Sequence, residues 1–180
     1  MNEILAHDHA ALDRLLHQVL NTRDVKRGFE QLDQFWARLA MHIRAEHLHL
    51  FPAIRQALGE GQDIGAPSLS EAERVIAKLR SDHDYFMREL ASAIGLLRQL
   101  LNGAKDDPDP RFAEAAVKVQ MVRERLVLHN RLEETQIYVW ADTFLSSEAQ
   151  ADLSRKISRE LAKLPPRFVT AATLQELVEG

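Results

Sequence analysis

The chain has no cysteine, which excludes disulfides, thiolate metal sites and a cysteine nucleophile. No run approaches the ~18 consecutive apolar residues that a membrane helix needs, so none is expected to span a bilayer. A basic surplus is missing as well. Lys and Arg number 23 against 27 Asp and Glu, for a net charge of −4, which argues against a nucleic-acid footprint. Alternating β-branched runs and hairpin signals are absent, so nothing points to a sheet. The first residues, MNEILAHDHAALDRLL, carry charges throughout and lack an apolar core. No signal peptide is therefore expected, and a cytoplasmic location is the default.

What is present suits one compact helical domain. The 180 residues are 46% hydrophobic and 28% charged, enough for a real core. Glycine and proline gather in GEGQDIGAPS (59–68), NGAKDDPDP (102–110) and the pair at 165–166. Between them lie long segments rich in Leu, Ala, Glu, Arg and Gln, which predict helices over 2–21, 24–58, 68–102 and 111–144. Pro52 should kink or end the second. SSEAQADLSRKISREL predicts a fifth helix with a Ser N-cap and a Glu in its first turn, and TAATLQELVEG a short sixth. The expected architecture is all-α: an up-down-up-down four-helix bundle over 1–145, with a C-terminal helical extension, 146–180, packed on it.

Helical wheels place several polar residues on apolar stripes. In the third helix Ala72, Ile76, Leu79, Phe86, Leu90, Ile94, Leu97 and Leu101 form a stripe, with His83 within roughly 20° of its centre. In the fourth, Glu133 sits almost in the middle of Val122, Leu126, Ile137, Trp140 and Phe144, with His129 to one side. His9 adjoins the face made by Leu5, Leu12, Leu16 and Val19; Phe35, Leu39, His42, Glu46 and Leu50 follow one row of the second helix. His47 also lies on that face, His49 looks lateral, and His7 and His17 read as surface residues. Trp36 and Trp140 read as core packing. Tyr85 and Tyr138 read as rim packing, with donation to a bound ligand as the other option. Burying two carboxylates among four imidazoles needs a compensating charge, and no Lys or Arg lies near the stripe centres. A multivalent cation fits.

The motif also repeats. HIRAEHLHLF (42–51) and HNRLEETQIY (129–138) match at His, Arg and Glu, while DHAAL (8–12) echoes DHDYF (82–86). Each half thus reads Asp-His on one helix and His-x-x-x-Glu on the next, as if related by a pseudo-twofold axis. Over roughly residues 1–150 the chain resembles the hemerythrin-like family of HHE cation-binding domains, which hold a non-haem di-iron centre in a four-helix bundle. That resemblance implies His9, His42, His83 and His129 as terminal ligands and Glu46 and Glu133 as bridges between two metal ions. Two departures stand out. Oxygen-carrying hemerythrins place a second histidine one turn along the third helix, where this chain has Leu79 and Met87. Their fourth helix spaces the carboxylate five residues after the histidine, which would select Glu134 over Glu133; the wheel and the mirror of Glu46 favour Glu133. His47 stands where the family often has a second glutamate and is a candidate fifth imidazole.

The implied cofactor is two iron ions, oxo- or hydroxo-bridged, with zinc or manganese as alternatives. Asp8 and Asp82 are candidates to hold the ligand imidazoles through their second nitrogens. Without a further histidine the two metals would be more equivalent and more open than in an oxygen carrier. The expected function is binding of dioxygen or nitric oxide, or sensing of oxidants or iron. A di-iron enzyme reducing peroxide or nitric oxide or repairing iron centres is one alternative, and a metal-free helical interaction module another. A homodimer is an option, and the redox partner is open.

Overall fold

The computed structural model describes residues 2–60, 67–103 and 110–163, together with 165 and 168. Helix α1 runs Asn2–Asn21 and α2 Val25–Ala45, the latter capped by Asp24, whose carboxylate accepts from the Arg27 amide. Helix α3 spans Phe51–Glu60 and α4 Leu69–Asn102, capped by Ser68. Helix α5 is Pro110–Leu132, with proline in its first turn, where a missing amide hydrogen costs nothing. Helix α6 covers Tyr138–Phe144, and α7 covers Ser147–Leu161 behind the Ser146 N-cap. Among the described residues there is no strand. The sixth helix read over TAATLQELVEG lies outside the described residues.

Helix α1 packs on α2, α2 on α4, α4 on α5 and α5 back on α1, which closes the four-helix bundle. The second and fourth bundle helices differ from the uniform α-helices expected. Between α2 and α3, Glu46–Leu50 form a π-helical turn in which the Phe51 amide donates to the Glu46 carbonyl, five residues back. Glu133–Ile137 do the same between α5 and α6, with the Tyr138 amide on the Glu133 carbonyl. Such a turn carries one extra residue in the helical register. The break expected at Pro52 therefore falls just before it, inside the HxxxE repeat.

The core is divided. One apolar cluster is built around Leu12, Leu16, Leu32, Phe35, Phe86, Leu90, Val122 and Leu126. A second holds Leu5, Leu50, Phe51, Ile54, Ile76, Leu79, Ile137 and Leu153. Between them, along every bundle helix, lies a buried polar layer: His9 on α1, His42 and Glu46 after it, His83 on α4, His129 and Glu133. Trp36 and Trp140 are partly buried and pack against these cores, whereas Leu101, read on the α4 stripe, is exposed at the helix end. Helix α7 docks on α2 and on the first π turn. Its Glu160, 2% exposed, meets Arg44, with Lys163 at 2.6 Å and His49 at 3.7 Å.

Candidate metal centre

The six candidate side chains converge in two groups that share both glutamates. His9, His42, Glu46 and Glu133 each offer an atom within 4.8 Å of the others, and so do Glu46, His83, His129 and Glu133. In the first group His9 Nε2 lies 3.1 Å from His42 Nε2 and 3.3 Å from Glu133 Oε2, and His42 Nε2 lies 3.5 Å from Glu46 Oε1. In the second, His83 Nε2 is 2.9 Å from His129 Nε2 and 3.3 Å from Glu46 Oε2, and His129 Nε2 is 2.9 Å from Glu133 Oε1. Each carboxylate turns one oxygen to each group. That is the geometry of a bridge.

The outer nitrogens show which way the rings face. His9 Nδ1–H donates to Glu134 Oε1 at 2.9 Å and His42 Nδ1–H to Asp8 Oδ2 at 2.8 Å. His129 Nδ1 faces Asp82 Oδ2 at 3.5 Å, and His83 Nδ1 pairs with His47 Nε2 at 2.9 Å. A carboxylate can only accept, so Nδ1 of His9, His42 and His129 carries a proton, and Nε2 of every ring is aimed inward. Asp8 and Asp82 serve the partner helix's histidine rather than their own chain neighbour. Each is held in turn by cations, Arg38 on Asp8 at 2.6 Å and Lys78 with Arg125 on Asp82, both at 2.6 Å. The basic residues expected to be absent from the stripes thus sit one layer out, on the aspartates.

Without a cation this arrangement is costly. Imidazole nitrogens face one another, and Glu46 Oε2 and both Glu133 oxygens are buried where only those nitrogens, if protonated, could donate to them. Protons take up part of the mismatch. Burial works against a charged His129, but Glu133, Asp82 and Glu46 outweigh it and raise its pKa to about 9. His42 moves the same way: burial lowers its pKa, and Glu46 and Asp8 overcome that. Burial and the neighbouring Glu133 raise Glu46, whereas burial together with the charge on His129 holds His83 well below the usual range. Glu133 is pushed down in spite of burial, chiefly by His129 and His9. A pair of divalent or trivalent ions would replace those protons and satisfy every orphaned atom at once. The donor set of imidazole and carboxylate, without sulfur, suits iron, manganese or zinc.

Comparison with known proteins agrees with the geometry. The family model for the hemerythrin HHE cation-binding domain matches residues 1–141. The chain belongs to that family. Neither a curated protein nor a solved structure matches it.

Several side chains of this HHE domain sit differently from the sequence expectation. His47 is outside both donor groups and supports His83 from behind; Glu134 does the same for His9. His7 and His17 are exposed, as the sequence reading has them. Tyr138 is not at the rim. It is 1% exposed, with its hydroxyl 3.2 Å from His9 Nε2 and 3.4 Å from Glu46 Oε1. Burial, then Glu133 and Glu46, push its pKa well above the usual phenol value, so with no ion bound the phenol is protonated. The π turn explains the misplacement. Five residues from Glu133 would rotate Tyr138 by roughly 140° around an α-helix, but the extra residue reduces this to roughly 40°. The repeat contained the signal, since it aligns an aromatic, Phe51 or Tyr138, five residues after each glutamate. Tyr85 does lie outward, under the Arg125 guanidinium at 4.4 Å.

Proposed function

We propose that this hemerythrin-family chain holds two iron ions, one between His9 and His42 and one between His83 and His129, bridged by Glu46 and Glu133. The observation that carries this reading is the sharing of two fully buried carboxylates, each with one oxygen toward each histidine pair. A single ion would leave one pair of inward lone pairs uncompensated. When bound, such a pair of ions supplies a redox couple and open coordination positions for a small ligand, dioxygen or nitric oxide. The role that follows is gas binding, or sensing of oxidants or iron, inside a bundle whose apolar cores exclude water on both sides.

The protein's own residues have definite tasks in this reading. Asp8, Asp82, Glu134 and His47 fix the ring orientations through Nδ1, and the three carboxylates add basicity to the inward nitrogen. Arg38, Lys78 and Arg125 hold the aspartates charged. Leu79 and Met87, one turn to either side of His83 where oxygen carriers of the family have another histidine, leave the His83 side with only two imidazoles.

The test is elemental analysis with an absorption spectrum after anaerobic loading with ferrous iron and oxidation. Two irons per chain and near-ultraviolet bands are expected. Protein that takes up no iron, or one ion per chain at saturation, would overturn the proposal.

A further inference from the structure

The two halves of the repeat place an aromatic ring against equivalent imidazoles. Tyr138 stacks on His9 with centroids 5.8 Å apart and planes at 26°, and Phe51 stacks on His83 at 6.3 Å and 14°. Only one of these rings ends in an oxygen. That oxygen lies 3.2 Å from His9 Nε2 and 3.4 Å from Glu46 Oε1. The separations within the first donor group are the same, 3.1 Å between His9 and His42, 3.3 Å between His9 and Glu133, and 3.5 Å between His42 and Glu46. Adjacent donors on a six-coordinate ion with bonds of about 2.1 Å lie about 3 Å apart. The phenol oxygen therefore stands at donor spacing from two members of that group.

The phenol has one hydrogen for these two contacts, and both partners, His9 and Glu46, belong to the first donor group.

Resting on the di-iron reading, we propose that Tyr138 is a fifth protein ligand of the ion held by His9 and His42. The ion between His83 and His129, with four protein donors and the hydrocarbon of Phe51 beside it, is then the one left open to an external ligand. On loading, the phenol O–H bond breaks, its electron pair goes into the oxygen–iron bond, and the proton leaves to solvent. The closed and open sides of the centre follow from a single oxygen, present at residue 138 and lacking at residue 51.

The full chain loaded with iron and oxidised tests this without a variant. A phenolate-to-ferric charge-transfer band should appear in the visible, and resonance Raman excitation in it should show phenolate ring vibrations. The chain has two tyrosines, so Tyr138→Phe assigns the band: the variant should keep two irons and lose the colour. Azide serves as the external probe. Wild-type protein should bind one azide, Tyr138→Phe should open the second ion and bind two, and in Phe51→Tyr, which closes the other side, affinity should fall tenfold or more. Wild-type protein with two irons and no phenolate signature, or a Tyr138→Phe variant that keeps the band, overturns the Tyr138 proposal and leaves the di-iron centre standing. Protein that binds no iron overturns both.

Discussion

The half of the bundle built from α1 to α3 and the half built from α4 to α6 carry the same inward donors on the same scaffold. Both have Asp-His on the first helix and His-x-x-x-Glu on the second, and both widen into a π turn beginning at the glutamate. Proline does not cause the widening. Pro52 follows the first π turn, but its counterpart in the second half is Val139, and the turn forms there all the same. What the halves share is a buried glutamate that must reach the centre with both oxygens, and π turns recur at such functional positions. The differences lie one residue and five residues after each glutamate: His47 against Glu134, and Phe51 against Tyr138. The comparison teaches that the repeated residues set where two ions would sit, and the unrepeated ones set how the two positions differ.

Removing a shared carboxylate should have the largest effect, because it harms both halves at once. Glu46→Gln and Glu133→Gln are each expected to drop iron content from two ions to below one per chain, measured by elemental analysis after loading. In chelator-treated protein Glu46→Gln should act the opposite way. Glu46 is buried against Glu133, and both burial and that repulsion raise its pKa. Because burial and that repulsion both disfavour its charge, a neutral isostere should stabilise the metal-free fold in denaturant unfolding. A metal-free variant less stable than wild type would show that the glutamates do structural work without ions.

Metal removal and pH form the next test. In metal-free protein the folded-state pKa of His129 is raised from 6.5 to about 9. A group raised in this way contributes its full stability below pH 6.5 and loses it as the pH climbs to about 9. His42 acts in the same direction. Chelator-treated protein should thus lose stability between pH 6.5 and 9, by at most about 3 kcal/mol from His129. Loaded protein should show the reverse slope below neutrality, weakening from pH 7 toward 5 as protons compete for the ligands. Parallel Tm profiles with and without iron measure both. Matching slopes would mean that the imidazoles are not where the metal binds.

The sequence made much of this legible for one reason: an α-helix repeats at 100° per residue, so a charged group on an apolar stripe stands out. His83 and Glu133 were visible in that way, and the repeat reinforced His42 and Glu46. Two features escaped. A π turn has no propensity signature of its own, and beyond it the wheel is wrong by one residue, which is why a uniform helix puts Tyr138 at the rim. The outer partners escaped because they join side chains 30 or more residues apart, as His47 joins His83 and Glu134 joins His9. Asp8 and Asp82 were recognisable as supports, but only the packed structure shows that each supports the neighbouring helix's histidine.

The aspartates offer a smaller and more selective test of the two halves. Asp8 approaches His42 at 2.8 Å, whereas Asp82 lies 3.5 Å from His129 and is shared with Lys78 and Arg125. Loss of such a supporting carboxylate typically costs 10–100-fold in metal affinity. Asp8→Asn should fall toward the upper end of that range and Asp82→Asn toward the lower, in competition titrations against a chelator. Equal losses would mean that distance to the ring does not set the support.

The smallest expected effect comes from making the halves alike behind the rings. His9 is backed by a carboxylate and His83 by a neutral-capable imidazole, His47. A carboxylate accepting from Nδ1–H makes the inward nitrogen a stronger donor than an imidazole acceptor does. His47→Glu should therefore tighten binding of the ion between His83 and His129 by a few fold, and Glu134→His should loosen the other by a similar factor. The partners are partly open to solvent, Glu134 with 46% of its side chain exposed, which keeps both changes below tenfold. Stepwise chelator competition resolves the two ions if their affinities differ. In the wild type the His9 and His42 position should hold its ion longer, and in both His47→Glu and Glu134→His the two steps should draw closer without merging. If neither substitution moves either step, the difference between the halves lies in the Tyr138 oxygen alone.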